Sequence, residues 1–423
     1  MKIEINRFIH YLIICFGLLP IIPNGMTGIL PVLLFVTSLV FYLKNVKRTA
    51  NYRILAINSS LFFIYLISLC YTADLNQAII KLGPAAWIVV FPLIFHLFLG
   101  EYRFKRNTIS SLLKVMTLST IAFIFIFTLY LIFFPSILGE SVGFPRANIL
   151  RGLMSDIPVI GKHPIYASLF VGISIIYCSN LLLSHRSNSF SLTKKISVSA
   201  LVIFFIASLI LIQGKGALLY LFFTLILLMV LNLKNKTAPV IILLAAVLSL
   251  GYFLYNAPKS NNRFLELVDK KTYSSETLNP YNSSQIRLEI WKSSIECIKK
   301  APVFGYGLGD VQRILDENYA KKSEVLLEKT YNSHNQYLGI WLSTGILGLL
   351  VFINFLYADL RVLIRYRFRS KVIASLSLAL IVFFMLNFIT ENILDRQLGA
   401  LAFYFFINFL SASALADMKD QIT

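Results

Sequence analysis

Apolar residues run through this chain in long blocks separated by polar connections. The blocks fall near residues 8–22, 27–43, 54–71, 84–99, 109–134, 164–183, 196–212, 217–233, 239–255, 336–357, 372–390 and 398–415. As helices rising about 1.5 Å per residue, blocks of this length cross roughly 30 Å of hydrocarbon. The short alternating segments that would close a β-barrel are absent. The pattern therefore predicts an all-α polytopic membrane protein of about twelve transmembrane helices. The first block follows Lys2 and Arg7, as a signal peptide would, but no small-residue cleavage site comes after it, so it is read as a span.

The polar connections alternate in charge. Every second one is basic: Lys44, Lys47, Arg48 and Arg53; Arg103, Lys105 and Arg106; Arg186, Lys194 and Lys195; Lys234 and Lys236; Arg361, Arg365, Arg367, Arg369 and Lys371. The positive-inside rule places these and both termini in the cytoplasm, so the remaining connections face outward. Two outward connections are long, 135–163 and 256–335. The chain thus divides into residues 1–255 with spans one to nine, an outward loop at 256–335, and residues 336–423 with spans ten to twelve and a cytoplasmic C-terminus. Within the large loop, "SSQIRLEIWKSSIECIKK" sets Ile286, Ile290, Trp291, Ile295 and Ile298 at helical spacing with charges between, which predicts an amphipathic helix along the membrane interface.

Composition agrees with this picture. Of 423 residues, 57% are hydrophobic, more than one soluble core needs. The formal net charge of +19 is spread through the loops rather than gathered on one face, which argues against a nucleic-acid partner. Cys15, Cys70 and Cys178 lie in apolar blocks and Cys297 stands alone, so neither a disulfide framework nor a zinc site is indicated.

Candidate chemistry collects in the outward connections. His334 opens "NSHNQYLGIWLSTGILG". Continued as one helix at about 100° per residue, this segment puts His334, Trp341, Gly345 and Gly348 on one face, where glycines let a neighbouring helix approach. Read blandly, His334 caps a helix at the water boundary. Lys215, between Gly214 and Gly216, is a cation at the edge of hydrocarbon; it is either functional or snorkelling. Arg146, Arg151, Lys162 and His163 could widen an anion site or form a solvated basic loop. "GYGLGD" is read as a turn, since no strand precedes it to make a dinucleotide loop. There is no DxD pair and no P-loop, so neither metal nor nucleotide is expected. Neither His334 nor Lys215 has an acidic partner close in sequence.

His334, Asn335, nine residues, Gly345, two residues and Gly348 match the H[NSQ]x9Gxx[GTY] pattern of bacterial O-antigen ligases, within the broader ligase and polymerase family. Arg287, Trp291, Pro302, Gly305, Gly307 and Gly309 resemble the R…W…P…GxGxG run that precedes it there. The resemblance covers residues 140–350 in motifs and the rest in topology. It implies a glycosyltransferase of the bacterial inner membrane, with its active site and the 256–335 loop in the periplasm. Such an enzyme moves a glycan from undecaprenyl diphosphate to lipid A-core. A histidine suits removal of the acceptor's proton, and cations offset the diphosphate leaving group. On that reading His334 is the base and Arg287 and Lys215 hold the diphosphate, with Arg151, His163, Trp291 and Asn335 as further substrate contacts. Relatives carry an arginine where this chain has Lys215. His163 opens "HPIYASLF", which resembles the start of a span in relatives. Single displacement without metal or cofactor would invert the anomeric centre, since no carboxylate pair stands ready for a covalent intermediate. An O-antigen polymerase or a protein O-oligosaccharyltransferase would use the same donor. A polysaccharide transporter is the alternative outside enzymes.

Overall fold

The computed structural model describes residues 2–46, 48–105, 107–133, 152–184, 189–212, 214–233, 278–280 and 282–419. The 239–255 block, Arg146, Arg151 and the start of the large outward loop lie outside the described residues. Among the described residues the chain is helical and contains no strand.

The helices are α1 (Lys2–Cys15), α2 (Ile29–Lys44), α3 (Tyr52–Ser68), α4 (Leu75–Ala85), α5 (Trp87–Pro92), α6 (Thr108–Phe133), α7 (Pro164–Leu183), α8 (Leu192–Leu211), α9 (Lys215–Asn232), α10 (Ser283–Lys300), α11 (Val311–Tyr319), α12 (Glu324–Glu328), α13 (Gln336–Tyr366), α14 (Lys371–Asn387) and α15 (Gln397–Lys419). Eight stretches among the described residues are long and apolar enough to cross a membrane, and α3 and α14 are shorter apolar helices. The protein is thus a multi-pass membrane protein by length and composition.

Eleven of the twelve apolar blocks fall on described helices, but their edges move. The block expected at 84–99 is part of a span from Leu75 to Phe98. Its helix begins where the Asp74 side chain accepts from the Gln77 amide, and it runs past Lys81, whose charge had cut the apolar window.

α15 lies at the centre. Its residues Leu398 to Ala412 are buried on every side, as expected for a helix apolar all round. Phe405 stacks on Phe16 with centroids 3.9 Å apart and meets Phe95 edge-on at 5.8 Å. The edge contact is a favourable geometry for a ring pair.

The two ends of the bundle differ. At one end the basic connections meet helix ends: Arg367 donates to the carbonyl of Leu231, Lys371 to that of Asn232, and Arg369 pairs with Asp417. At the other end lie the polar segments that carry His334, Arg287 and Lys215. There Tyr71 at the end of α3 donates to Phe304, and Asn24 between α1 and α2 donates to Gly161 just before α7.

The segment expected to be amphipathic is α10, Ser283–Lys300, begun by Asn282, whose side chain accepts from the amides of Ser284 and Gln285. Ile286, Ile290, Cys297 and Ile298 pack with Leu315, Tyr319 and Leu342 into a small second core. This helix is therefore seated on α11 and the start of α13.

The expectation of one helix face from His334 to Gly348 fails. α13 starts at Gln336, and Asn335 is its N-cap, with its side-chain oxygen accepting from the Leu338 amide at 3.0 Å. At Gly345, with φ 68° and ψ −169°, the helix breaks. That conformation is open essentially to glycine alone. The break frees the carbonyls of Leu342 and Ser343, which accept from Tyr306 at 2.8 Å and Gly307 at 2.9 Å. The glycine run thus serves as the turn that was expected, and its partner is the broken helix. A Cβ on Gly345 would meet the Val303 carbonyl at 1.9 Å, and one on Gly305 the Leu342 carbonyl at 2.5 Å.

Candidate functional site

Two loops meet at this end, residues 331–335 before α13 and residues 388–396 between α14 and α15. The Gln336 amide donates to the Phe388 carbonyl at 2.8 Å, and the Asn335 amide to Asn392 Oδ1 at 2.8 Å. Ser333, buried, exchanges hydrogen bonds with Asn392, and Asp395 accepts from both Gln336 and Asn392. Ser333, Gln336 and Asn392 are buried and hydrogen-bonded, and a satisfied network of this kind fixes loop geometry.

On that platform His334 takes φ 40°, in the left-handed region, which histidine visits more readily than most residues. Its amide donates to Asn332 Oδ1 and its carbonyl accepts from the Trp291 indole at 3.2 Å. Trp291, expected to touch substrate, here buttresses the histidine's backbone. The Tyr331 ring lies 5.7 Å from the imidazole.

The centre contains a residue that sequence reasoning missed. Glu391 places one carboxylate oxygen 3.2 Å from His334 Nδ1 and the other against the Arg287 guanidinium. The three side chains are partly enclosed: 24% of His334, 25% of Arg287 and 12% of Glu391 remains exposed. Burial pushes the Glu391 carboxyl upward, but the adjacent Arg287 charge and the hydrogen bond to His334 outweigh it and bring it down to about 2. The group is therefore an anion at neutral pH. A carboxylate can only accept, so the shared hydrogen sits on Nδ1, and Nε2 is the ring nitrogen that can take up a proton when the imidazole carries one hydrogen.

Arg287 comes from the second turn of α10. Its Nε donates to the Thr390 carbonyl at 3.3 Å and its Nη1 to the Ser283 carbonyl at 3.5 Å. The guanidinium expected to grip a diphosphate as an open fork is thus committed first to the 390–391 backbone and side chain. Lys215, the first residue of α9, reaches Ser284 on α10 at 3.3 Å. The next residue, Gly216, approaches Thr390 so closely that a Cβ there would stand 3.2 Å from its hydroxyl. Arg287, Glu391 and His334 are thus in direct contact, and the start of α9 adjoins them through Ser284 and Thr390.

Arg151 lies outside the described residues. His163 caps α7, its Nδ1 accepting from Ile165, and its ring meets Tyr166. Lys162, weighed as part of an anion site or a solvated loop, is neither. It is 1% exposed and donates to the Ile22 carbonyl and Asn24 Oδ1. Burial lowers its pKa to about 8. Its ammonium joins the α1–α2 connection to the segment before α7.

No three His, Cys, Asp or Glu side chains converge as a metal set among the described residues. The chemistry on hand is a histidine, an anion that orients it through Nδ1, and two cations.

Residues 200–353 match the family model described as O-antigen ligase. This stretch contains Lys215, Arg287, Trp291, His334 and Asn335 and ends before Glu391. Over 156 residues the chain is 26% identical to a protein of Haemophilus influenzae described as uncharacterized, covering 36% of this chain and 37% of that protein. The chain thus matches little more than a third of its curated relative's length.

Proposed function

We propose, from the match of residues 200–353 to the family model described as O-antigen ligase, glycosyl transfer from a lipid-diphosphate-linked glycan to a hydroxyl acceptor, with His334 as general base. The observation that carries this reading is the His334–Glu391–Arg287 arrangement. Glu391 holds the imidazole through Nδ1 and leaves Nε2 to accept the acceptor's proton as its oxygen attacks the anomeric carbon. The proton moves to Nε2, the glycosidic bond to the diphosphate breaks, and the negative charge appears on the departing phosphate. The imidazolium formed beside Glu391 is stabilised by it.

Lys215 and the exposed edge of Arg287 supply the positive charge that meets that phosphate, the arginine also restraining Glu391. One displacement inverts the anomeric centre. We further propose undecaprenyl diphosphate as donor carrier, lipid A-core as acceptor, and the periplasmic face of the inner membrane as the site of reaction. A growing glycan or a protein hydroxyl would be processed by the same residues.

The test is transfer in detergent with purified lipid-diphosphate-linked glycan and each acceptor in turn, with excess EDTA in a parallel reaction. Product should form with lipid A-core and persist in EDTA. No product with any acceptor would sink the enzyme reading. Activity abolished by EDTA and restored by magnesium or manganese would overturn metal independence alone.

A further inference from the structure

At the end of the bundle opposite His334, the start of α1, the end of α2 and residues 101–105 line a bowl of about 600 Å³. Its rim carries Arg7, Lys44, Arg103 and Lys105. The lining has one carboxylate, Glu101, and that accepts from the Thr49 hydroxyl. The floor is formed by Phe41 and Tyr102, each 5% exposed, packed edge to face with centroids 5.7 Å apart. The Tyr102 hydroxyl donates to the Asn6 carbonyl at 3.0 Å, which ties residues 101–105 to α1. The bowl is therefore built from three segments, with a cationic rim over an apolar base.

We infer that this bowl binds the phosphate headgroup of an anionic phospholipid. The size falls in the range of small-ligand sites. Among the described lining residues cations outnumber carboxylates four to one, which favours a negative ligand, and basic pockets at helix ends suit anionic headgroups. The apolar surroundings favour a lipid over a free anion. Val46 lines the bowl and is fully exposed, while Leu43 and Val36 continue from it along α2 at 58% and 52% exposure. Acyl chains can lie along that stripe while the phosphate sits among the cations. The site lies apart from the His334 cluster and assumes nothing about the reaction there.

The experiment is delipidation of the full-length protein followed by titration with phosphatidylglycerol or phosphatidylcholine, reading bound lipid by native mass spectrometry and thermal stability in parallel. About one phosphatidylglycerol should bind per chain and raise the melting temperature, with phosphatidylcholine weaker. The Arg7→Gln, Arg103→Gln, Lys105→Gln triple variant should bind phosphatidylglycerol on the order of 100-fold more weakly. A charge-matched control, Lys194→Gln, Arg361→Gln, Arg365→Gln, should bind as the parent does. Equal loss in both triples, or no preference of the unaltered protein for phosphatidylglycerol, would overturn the site. Displacement of the lipid by an equal concentration of inorganic phosphate would overturn the lipid assignment, since it would mean that the phosphate alone is recognised.

Discussion

Replacing Glu391 with glutamine keeps the side chain's shape and removes its charge. His334 would then lose its fixed acceptor, and Arg287 would face a neutral group in a partly buried place. Transfer should fall on the order of 100-fold while donor binding changes less. The pH dependence has a definite sign. The Glu391 pKa lies below its ordinary value of 4.5, near 2. The stability it contributes is fully present above about 4.5 and is lost as pH falls toward 2. Thermal unfolding in detergent should show the parent losing its advantage over Glu391→Gln across that window. A constant difference from pH 7 to pH 3 would contradict the pairing. At the neighbouring cations, Lys215→Arg should retain transfer and Lys215→Ala lose it, if charge at that position is what the donor meets. Full activity in Lys215→Ala would return that lysine to a purely interfacial role.

At the scale of elements, the break in α13 and the glycine turn hold each other. Gly345→Ala would force a Cβ into the Val303 carbonyl and a side chain into a backbone region it rarely adopts. The expected loss is about 3 kcal/mol or more, read as a lowered melting temperature. Gly83→Ala is the contrast, because nothing lies within 4 Å of a Cβ there and the residue is helical. It should leave stability unchanged or raise it by up to about 1 kcal/mol. These elements also show what was legible beforehand. α10 was readable because its apolar period is a local signal. The break at Gly345 was not, since a glycine inside an apolar block reads as helix until the docking turn is seen. Glu391 was hidden for a similar reason: it lies 57 residues from His334 and 104 from Arg287. It sits in a short polar gap between two apolar blocks, a place that reads as a mere connection.

For the whole molecule, the connection that carries Arg367, Arg369 and Lys371 meets helix ends away from the candidate centre. With the basic end inward, a reporter joined after Lys322 should read periplasmic and one after Arg367 cytoplasmic. The reverse pair would put the centre on the wrong face for the proposed donor. The central claim concerns coupling between two side chains and is met most directly by a double-mutant cycle. Initial rates of glycan transfer would be measured for the parent, His334→Ala, Glu391→Gln and the double variant at equal folded concentration. If Glu391 acts through His334, the double variant should be no slower than His334→Ala alone, which should itself be down by about 10² to 10⁴. Independent losses that multiply in the double variant, or a His334→Ala protein that transfers as fast as the parent, would contradict it.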